Sequence, residues 1–88
     1  MILIMLSINR WKERKKKYIK LLGGQCDCCH IKFNDTNYAI FDFHHINPNT
    51  KEYTWDKLRL FSDFKIRAEL SKCQLLCVNC HRLIHSTS

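Results

Sequence analysis

Two pairs of cysteines, each separated by two residues, constrain this sequence more than any other feature. The first pair is Cys26 and Cys29, and the second is Cys77 and Cys80. A Cys-x-x-Cys turn points two thiolates at one tetrahedral zinc ion, so two such pairs predict a four-cysteine structural zinc site. Buried free thiols and disulfides are alternatives that fit less well. Six cysteines in 88 residues are fewer than a secreted disulfide scaffold usually carries.

The distance between the two pairs indicates where further chemistry lies. Residues 30–76 separate them, whereas a simple zinc ribbon has about 15–20 residues there. The zinc is therefore expected to clamp the base of a large insertion. Because so short a chain buries only a modest core, metal binding should supply much of the folding free energy. Cys28 and Cys73 are left over as spare thiols, and Cys73 is expected to be a small buried apolar side chain.

The positive charge is concentrated in one segment. The net charge is +7, and residues 1–24 hold seven cations beside a single acid, Glu13. Apolar residues recurring at helical spacings predict a helix over residues 7–22, with Gly23 as its stop. With 45% hydrophobic residues the composition is globular. We predict a small α+β protein in which residues 1–23 form a basic helix, packed on or extending from a domain at 24–88.

This basic helix predicts a polyanionic partner. Phosphate contact with DNA is favoured, and a solvated helix face or an anionic membrane surface are the alternatives. Phosphate contacts carry no sequence information directly, so we expect weak sequence preference. The positions expected to contact phosphate are Arg10, Lys12, Lys16 and Lys20 on the helix, and Lys72 and Arg82 beside the histidines described below.

The apolar segment at residues 1–8 affects the expected location of the protein. It lacks a preceding basic region and a small-residue cleavage site, and it is much shorter than the roughly 20 residues that span a bilayer. We expect it to pack in the core or to form a sticky N-terminus. The expected compartment is a reducing cytoplasm, without a membrane partner.

Four histidines follow His30 in two groups. His44 and His45 end a strand predicted at 38–46, and His81 and His85 lie one turn apart on a helix predicted at 79–85. Adjacent strand residues point to opposite faces, so His44 and His45 cannot share one metal unless the chain turns. A second metal held by His44, His81 and His85 satisfies the spacing, with His45 facing the open side as a base. The alternatives are ordinary core and surface histidines, or a zinc site in which His81 and His85 replace a cysteine pair.

The remaining elements are less specific. A second strand is predicted at 74–77, and one helix or two at 54–61 and 63–71. The apolar surface of those helices is expected to come from Leu58, Phe61, Phe64, Ile66 and Leu70.

The runs FDFHHI at 41–46 and ELSKCQLLCVNCHRLIH at 69–85 resemble the HNH endonuclease family, of the zinc-knuckle kind common in phages. The resemblance covers roughly residues 24–87 and includes both cysteine pairs, the double histidine and the terminal Cys-His-x-x-x-His in order. It implies a ββα-metal fold, in which two strands and a helix surround one catalytic metal. It also implies that His44, His81 and His85 bind that metal and that His45 is the general base.

The resemblance further implies metal-dependent hydrolysis of DNA, leaving 5′-phosphate and 3′-hydroxyl ends. Asp42 lies two residues before His44 and is expected to orient it, with a solvated strand acid as the alternative. Lys72 stands where many members have an asparagine that braces a loop. The expected cofactors are a structural zinc ion and one catalytic divalent ion, for which magnesium, manganese, nickel and zinc are all candidates.

A rival hypothesis is a non-catalytic zinc module that binds nucleic acid or another protein. Such a module would keep the four cysteines but would not need both His45 and an open metal position. The partners expected from the nuclease hypothesis are DNA and, given the phage-like resemblance, a phage or host DNA-processing protein.

Overall fold

A helix-flanked pair of strands forms the framework of the chain. The computed structural model describes the backbone of residues 2–87 and the side chains of residues 10–86. Two single-turn 3₁₀ segments, Tyr38–Ile40 and Pro48–Thr50, flank the first strand. The other elements, in chain order, are α1 (Ile2–Leu21), β1 (Phe41–His45), α2 (Trp55–Leu58), α3 (Asp63–Leu70), β2 (Cys73–Cys77) and α4 (Val78–Thr87). The predicted α+β class is confirmed.

The two strands pair antiparallel and set the position of every later site. Phe41 lies opposite Cys77, and His45 lies opposite Cys73. Because side chains alternate along a strand, Asp42 and His44 share one face of β1 while Phe43 and His45 share the other. β2 leads without a loop into α4, so the end of one strand directly positions the first turn of that helix.

α1 is attached to the strands through its last turns. Tyr18 and Ile19 are fully buried. Ile19 packs with Phe41 and the β2 leucines, and Tyr18 packs in a second cluster with residues of α2 and α3. The chain then leaves the helix through Gly23 and Gly24, both with positive φ, which glycine adopts at little cost. The prediction that this segment is a helix ending before Gly23 is confirmed.

Two element boundaries and the burial of one residue differ most from the predictions. α1 begins at Ile2 instead of residue 7, since residues 2–6 contain no helix breaker and include good helix formers. The predicted strand at 38–46 is shorter because its first three residues form a 3₁₀ turn. Phe64 was expected on the apolar surface but is 84% exposed, because the buried stripe of α3 runs through Ile66 and Leu70. The side chains of residues 1–8, expected in the core or as a sticky end, lie outside the described part.

Some cations of α1 serve the fold. The guanidinium of Arg14 donates hydrogen bonds to the carbonyls of Arg59 and Phe61, where α2 ends. The Tyr18 hydroxyl donates to the Asp63 carboxylate at the start of α3. Burial and this hydrogen bond raise the pKa of Tyr18 to about 12. These polar contacts fix the angle at which α1 meets the rest of the domain. No helix in the described range is long and apolar enough to cross a membrane.

Candidate metal and catalytic sites

The four paired cysteines converge on one point. One Sγ atom from each of Cys26, Cys29, Cys77 and Cys80 lies within 4.8 Å of the other three. The Sγ atoms of Cys29 and Cys77 are 3.7 Å apart, and Zn–S bonds of about 2.3 Å in a tetrahedron require about 3.8 Å between sulfurs. The predicted cluster of four cysteines that could hold a metal such as zinc is confirmed.

The first cysteine pair lies in a tight knuckle. The Cys26 amide donates to the Ile31 carbonyl at 3.0 Å, and the His30 amide donates to the Cys26 carbonyl at 3.0 Å. His30 closes the turn with a φ of 66°, a left-handed conformation that few non-glycine residues adopt. The amides of Cys28 and Cys29 point at the Cys26 Sγ, at 3.4 and 3.5 Å.

These amides change the chemistry of the Cys26 thiol. Burial raises its pKa, but the backbone amides of Cys29, Cys77 and Cys28 outweigh burial and lower the pKa to about 6. The thiolate is the form that binds zinc. This effect is specific to Cys26, because burial and the neighbouring thiols raise the pKa of Cys80.

The second pair spans the junction of β2 and α4. Cys77 is the last residue of β2, and Cys80 lies in the first turn of α4. Asp27 ties the two knuckles together, since its amide donates to the Leu75 carbonyl at 2.8 Å and its carboxylate accepts from the Leu75 amide at 3.3 Å. Cys73 is buried outside the cluster, as predicted, and Cys28 is exposed.

Three histidines form a second cluster. His44, His81 and His85 each offer a ring nitrogen within 4.8 Å of the other two. His81 and His85 lie one turn apart on α4 and face β1, and their Nε2 atoms are 2.9 Å apart. Burial, followed by the neighbouring imidazoles, lowers the pKa of His44. That shift favours the neutral imidazole, which is the form that binds metals.

Asp42 contacts a different histidine from the one expected. Its Oδ2 accepts a hydrogen bond from Nδ1 of His81 at 3.0 Å, rather than from His44, because α4 crosses the face of β1 that carries Asp42 and brings His81 to it. A carboxylate only accepts, so the His81 proton lies on Nδ1. Its Nε2 then carries the lone pair, 2.9 Å from Nε2 of His85.

His45 lies on the opposite face of β1 from His44. Its side chain is only 9% exposed, and its Nε2 lies 2.7 Å from Oε2 of Glu69. Nevertheless His45 lines the same cleft of about 160 Å³ as His44, His81 and His85. The structure therefore brings together the four histidines that the sequence singled out, with His45 at the side wall of the cleft.

The sequence reasoning missed Glu69. Glu69 is buried, and its Oε2 also accepts from the amides of Glu52 at 3.0 Å and Tyr53 at 3.4 Å. Burial raises the pKa of the Glu69 carboxyl, but hydrogen bonds from the Glu52 amide, Lys72 and His45 lower it to about 2. One available signal was its place on the buried stripe of α3, between Ile66 and Leu70.

The cations near the cleft do not lie where the sequence suggested. Nζ of Lys72 donates to Oε1 of Glu69 at 3.0 Å, to the Thr50 carbonyl at 3.1 Å and to Glu52 at 3.4 Å, so it is held in a network. Arg82 is exposed and lines a shallow depression on α4 rather than the histidine cleft. Lys51, which was not predicted, lines that cleft, and its ammonium makes no ion pair within the described residues.

The four predicted phosphate contacts of α1 lie on its surface. Arg10, Lys12 and Lys20 are exposed. Lys16 is partly covered, with its Nζ 3.3 Å from Glu13 and 5.3 Å from the centre of the Tyr38 ring. Exposed cations are therefore available on this helix at three of the four positions.

No protein-family model, curated protein or solved structure matches this chain. The function is therefore inferred from the geometry of its own residues.

Proposed function

We propose that this protein is a metal-dependent DNA endonuclease of the HNH kind that its sequence resembles. The observation that carries the proposal is the convergence of His44, His81 and His85 in one open cleft. His45 lines the same cleft, and the cysteine cluster forms a separate, more buried group. A protein that needed only a folding metal would have no use for this second arrangement.

The topology supports a ββα-metal fold. β1 and β2 pair antiparallel and α4 follows β2 directly. One candidate ligand, His44, comes from β1, and two, His81 and His85, come from α4. The long segment between β1 and β2 carries α2 and α3; it contributes Pro48 and Lys51 to the lining of the cleft, and Glu69 contacts His45 from behind it.

Each cluster has its own metal role in this proposal. The four cysteines hold a structural zinc ion, and the three imidazoles hold one divalent ion, with magnesium, manganese, nickel and zinc as candidates. Three protein ligands leave coordination positions open, as catalytic sites require. When bound, that ion stabilises the negative charge that develops on the phosphate and on the leaving 3′ oxygen.

The chain's own side chains supply the remaining functions. His45 accepts a proton from the attacking water, and an imidazole suits this task because it is largely neutral at physiological pH. Asp42 holds His81 in the tautomer that presents Nε2 to the cluster. The products are a 5′-phosphate and a 3′-hydroxyl end.

The free cations supply DNA contact. Exposed Arg10, Lys12 and Lys20 on α1 form a basic surface that neutralises backbone phosphates. Lys51 is the cation nearest the reacting group because it lines the histidine cleft. We assign Lys72 to the loop network and not to DNA.

The test is conversion of supercoiled plasmid by zinc-loaded protein, with magnesium, manganese, nickel or zinc added in turn. We expect nicked or linear products whose 5′ ends are ligatable. His45→Ala should lose about 10²–10⁴-fold in rate, the usual contribution of a general base. His30→Asn is the matched control, because His30 is exposed, lies outside the cleft and needs a residue that tolerates positive φ.

A zinc-loaded wild type that binds DNA but cleaves nothing with any of the four metals would contradict the nuclease proposal. The binding-module hypothesis would then account for the cysteine cluster and the basic helix. Equal activity of His45→Ala and His30→Asn would contradict the role assigned to His45.

A further inference from the structure

We propose that Glu69 is a positioning residue that fixes the tautomer of His45. Its carboxylate keeps the His45 proton on Nε2 and so leaves Nδ1 as the proton-accepting atom. The geometry holds whether or not the protein is a nuclease. Its catalytic consequence rests on the proposed function.

The partners of Glu69 determine which way the hydrogen bond to His45 runs. Oε2 faces two backbone amides, of Glu52 and Tyr53, and Oε1 faces the Lys72 ammonium. All three of these groups are donors, and together they stabilise the ionised carboxylate. An ionised carboxylate has no proton to give, so at 2.7 Å from Oε2 Nε2 of His45 must be the donor.

Burial makes this arrangement hard to escape. The Glu69 side chain is 4% exposed and the His45 side chain 9% exposed. A buried carboxylate without hydrogen-bond partners is costly, so Glu69 is expected to keep its contact with His45. The backbone is equally constrained, since His45 pairs with Cys73 across the sheet and the Ile46 amide donates to the Lys72 carbonyl at 3.0 Å.

The Asp42–His81 pair, whose histidine lines the same cleft as His45, has the opposite proton arrangement. Asp42 accepts a hydrogen bond from Nδ1–H of His81, so the lone pair of His81 is on Nε2, facing the cluster of three imidazoles. Glu69 accepts a hydrogen bond from Nε2–H of His45, so the lone pair of His45 is on Nδ1. The two carboxylates therefore suit chemically identical imidazoles to different roles, His81 as a metal ligand and His45 as a base.

Glu69 also braces the loop after β1, through the amides of Glu52 and Tyr53. A purely structural role would therefore explain a loss of stability, and the test must use a readout that bracing does not change. The tautomer of His45 is such a readout. It is reported by the ¹⁵N NMR shifts of the two ring nitrogens in zinc-loaded protein, at a pH where the imidazole is neutral.

In the wild type we expect the Nε2–H form of His45. Glu69→Ala should lose this preference and lose about 10- to 100-fold in kcat, the usual effect of removing a residue that orients a site side chain, with KM unchanged. Glu69→Gln can keep its one oxygen towards His45 and the amides of Glu52 and Tyr53, losing only the Lys72 contact, and should recover most of the lost kcat. Lys72→Met breaks the other half of the network and should leave the His45 tautomer unchanged.

The outcomes separate this inference from the proposed function. A wild type with the proton on Nδ1 overturns the inference, and so does Glu69→Ala with wild-type kcat. If the wild type cleaves nothing but its His45 is in the Nε2–H form, the positioning role is supported and the nuclease proposal is contradicted. If Glu69→Ala fails to load zinc, the tautomers of wild type, Glu69→Gln and Lys72→Met decide the question.

Discussion

The cysteine cluster and the histidine cluster have similar spacing but differ in burial. In each, the candidate ligand atoms lie within 4.8 Å of one another. Three of the four cysteines are buried, whereas none of the three histidines is, and His85 is exposed. A closed set of four ligands is typical of a structural metal, and three ligands open to solvent are typical of a catalytic one. This difference in burial supports the proposal that the cysteines hold a structural zinc ion and the histidines a catalytic ion.

One helix start connects the two clusters. Cys80 and His81 are neighbours in α4, so the cysteine cluster fixes the turn from which the histidines project. The histidine cluster should therefore depend on the cysteine cluster, but the cysteine cluster should not depend on the histidines. Loss of the cysteine cluster should destroy both sites, whereas loss of a histidine should leave the cysteine cluster intact.

The largest expected effect is loss of the cysteine cluster. Cys77→Ser, or removal of metal with a strong chelator, should unfold the protein, because structural zinc contributes about 10–16 kcal/mol in small modules. Circular dichroism and the zinc content per chain measure this. Cys28→Ser is the matched control, since Cys28 is exposed and outside the cluster. A folded Cys77→Ser protein without zinc would contradict the structural role.

A smaller effect is expected from the histidine cluster. His85→Ala should remove binding of the second divalent ion and lower cleavage by on the order of 100-fold or more, since a metal-polarised phosphate is worth several kcal/mol. Thermal unfolding of the zinc-loaded protein should change little, because His85 is exposed. Unfolding of His85→Ala as complete as that of Cys77→Ser would mean that the two clusters are one structural unit.

The sequence predicted what depends on local geometry. A Cys-x-x-Cys turn and an i, i+4 histidine pair on a helix hold their side chains close whatever the rest of the chain does. For this reason the cysteine cluster and the pairing of His81 with His85 follow from spacing. The gap between the two cysteine pairs likewise indicated a large insertion over residues 30–76, and β1, α2 and α3 lie within it.

The remaining site residues depend on how distant segments meet. Glu69 reaches His45 only because α3 packs against β2, the strand that pairs with β1. Lys51 reaches the cleft, together with Pro48, from the loop that follows β1. Asp42 was expected to orient His44 because the two lie two residues apart on one strand. It contacts His81 instead, because α4 packs against that face of β1. Lys72 has the charge expected of a phosphate contact, yet three nearby acceptors hold it.

The buried side of the histidine cleft gives a prediction about pH. The pKa of Glu69 falls from its ordinary 4.5 to about 2 in the folded protein. A lowered folded pKa stabilises the fold above pH 4.5, and this contribution is lost as pH falls from 4.5 through 2. Chemical denaturation should therefore show Glu69→Gln less stable than wild type at pH 6, by roughly 1–3 kcal/mol, with the difference shrinking in acid.

Glu52→Gln provides the control for this pH dependence. The Glu52 carboxylate pairs with the same Lys72 but is 65% exposed, and an exposed ion pair contributes little. The comparison is confined to pH values at which all three proteins keep their zinc, because loss of zinc is itself expected to unfold the chain. A gap between wild type and Glu69→Gln that stays constant from pH 6 downward would contradict the lowered pKa.

The smallest expected effect concerns Lys51 on the open side of the cleft. Lys51→Met should raise KM for DNA and lower the salt dependence of binding by about one phosphate contact, with little change in stability because Lys51 is exposed. Lys57→Met is the matched control, since Lys57 is an exposed lysine of α2 that does not line the cleft. If DNA binding by the two variants depends equally on salt, Lys51 does not contact a DNA phosphate. If only Lys51→Met lowers the salt dependence of DNA binding, DNA contacts the protein at the histidine cleft. The histidine cluster would then differ from the cysteine cluster in contact with the substrate as well as in burial.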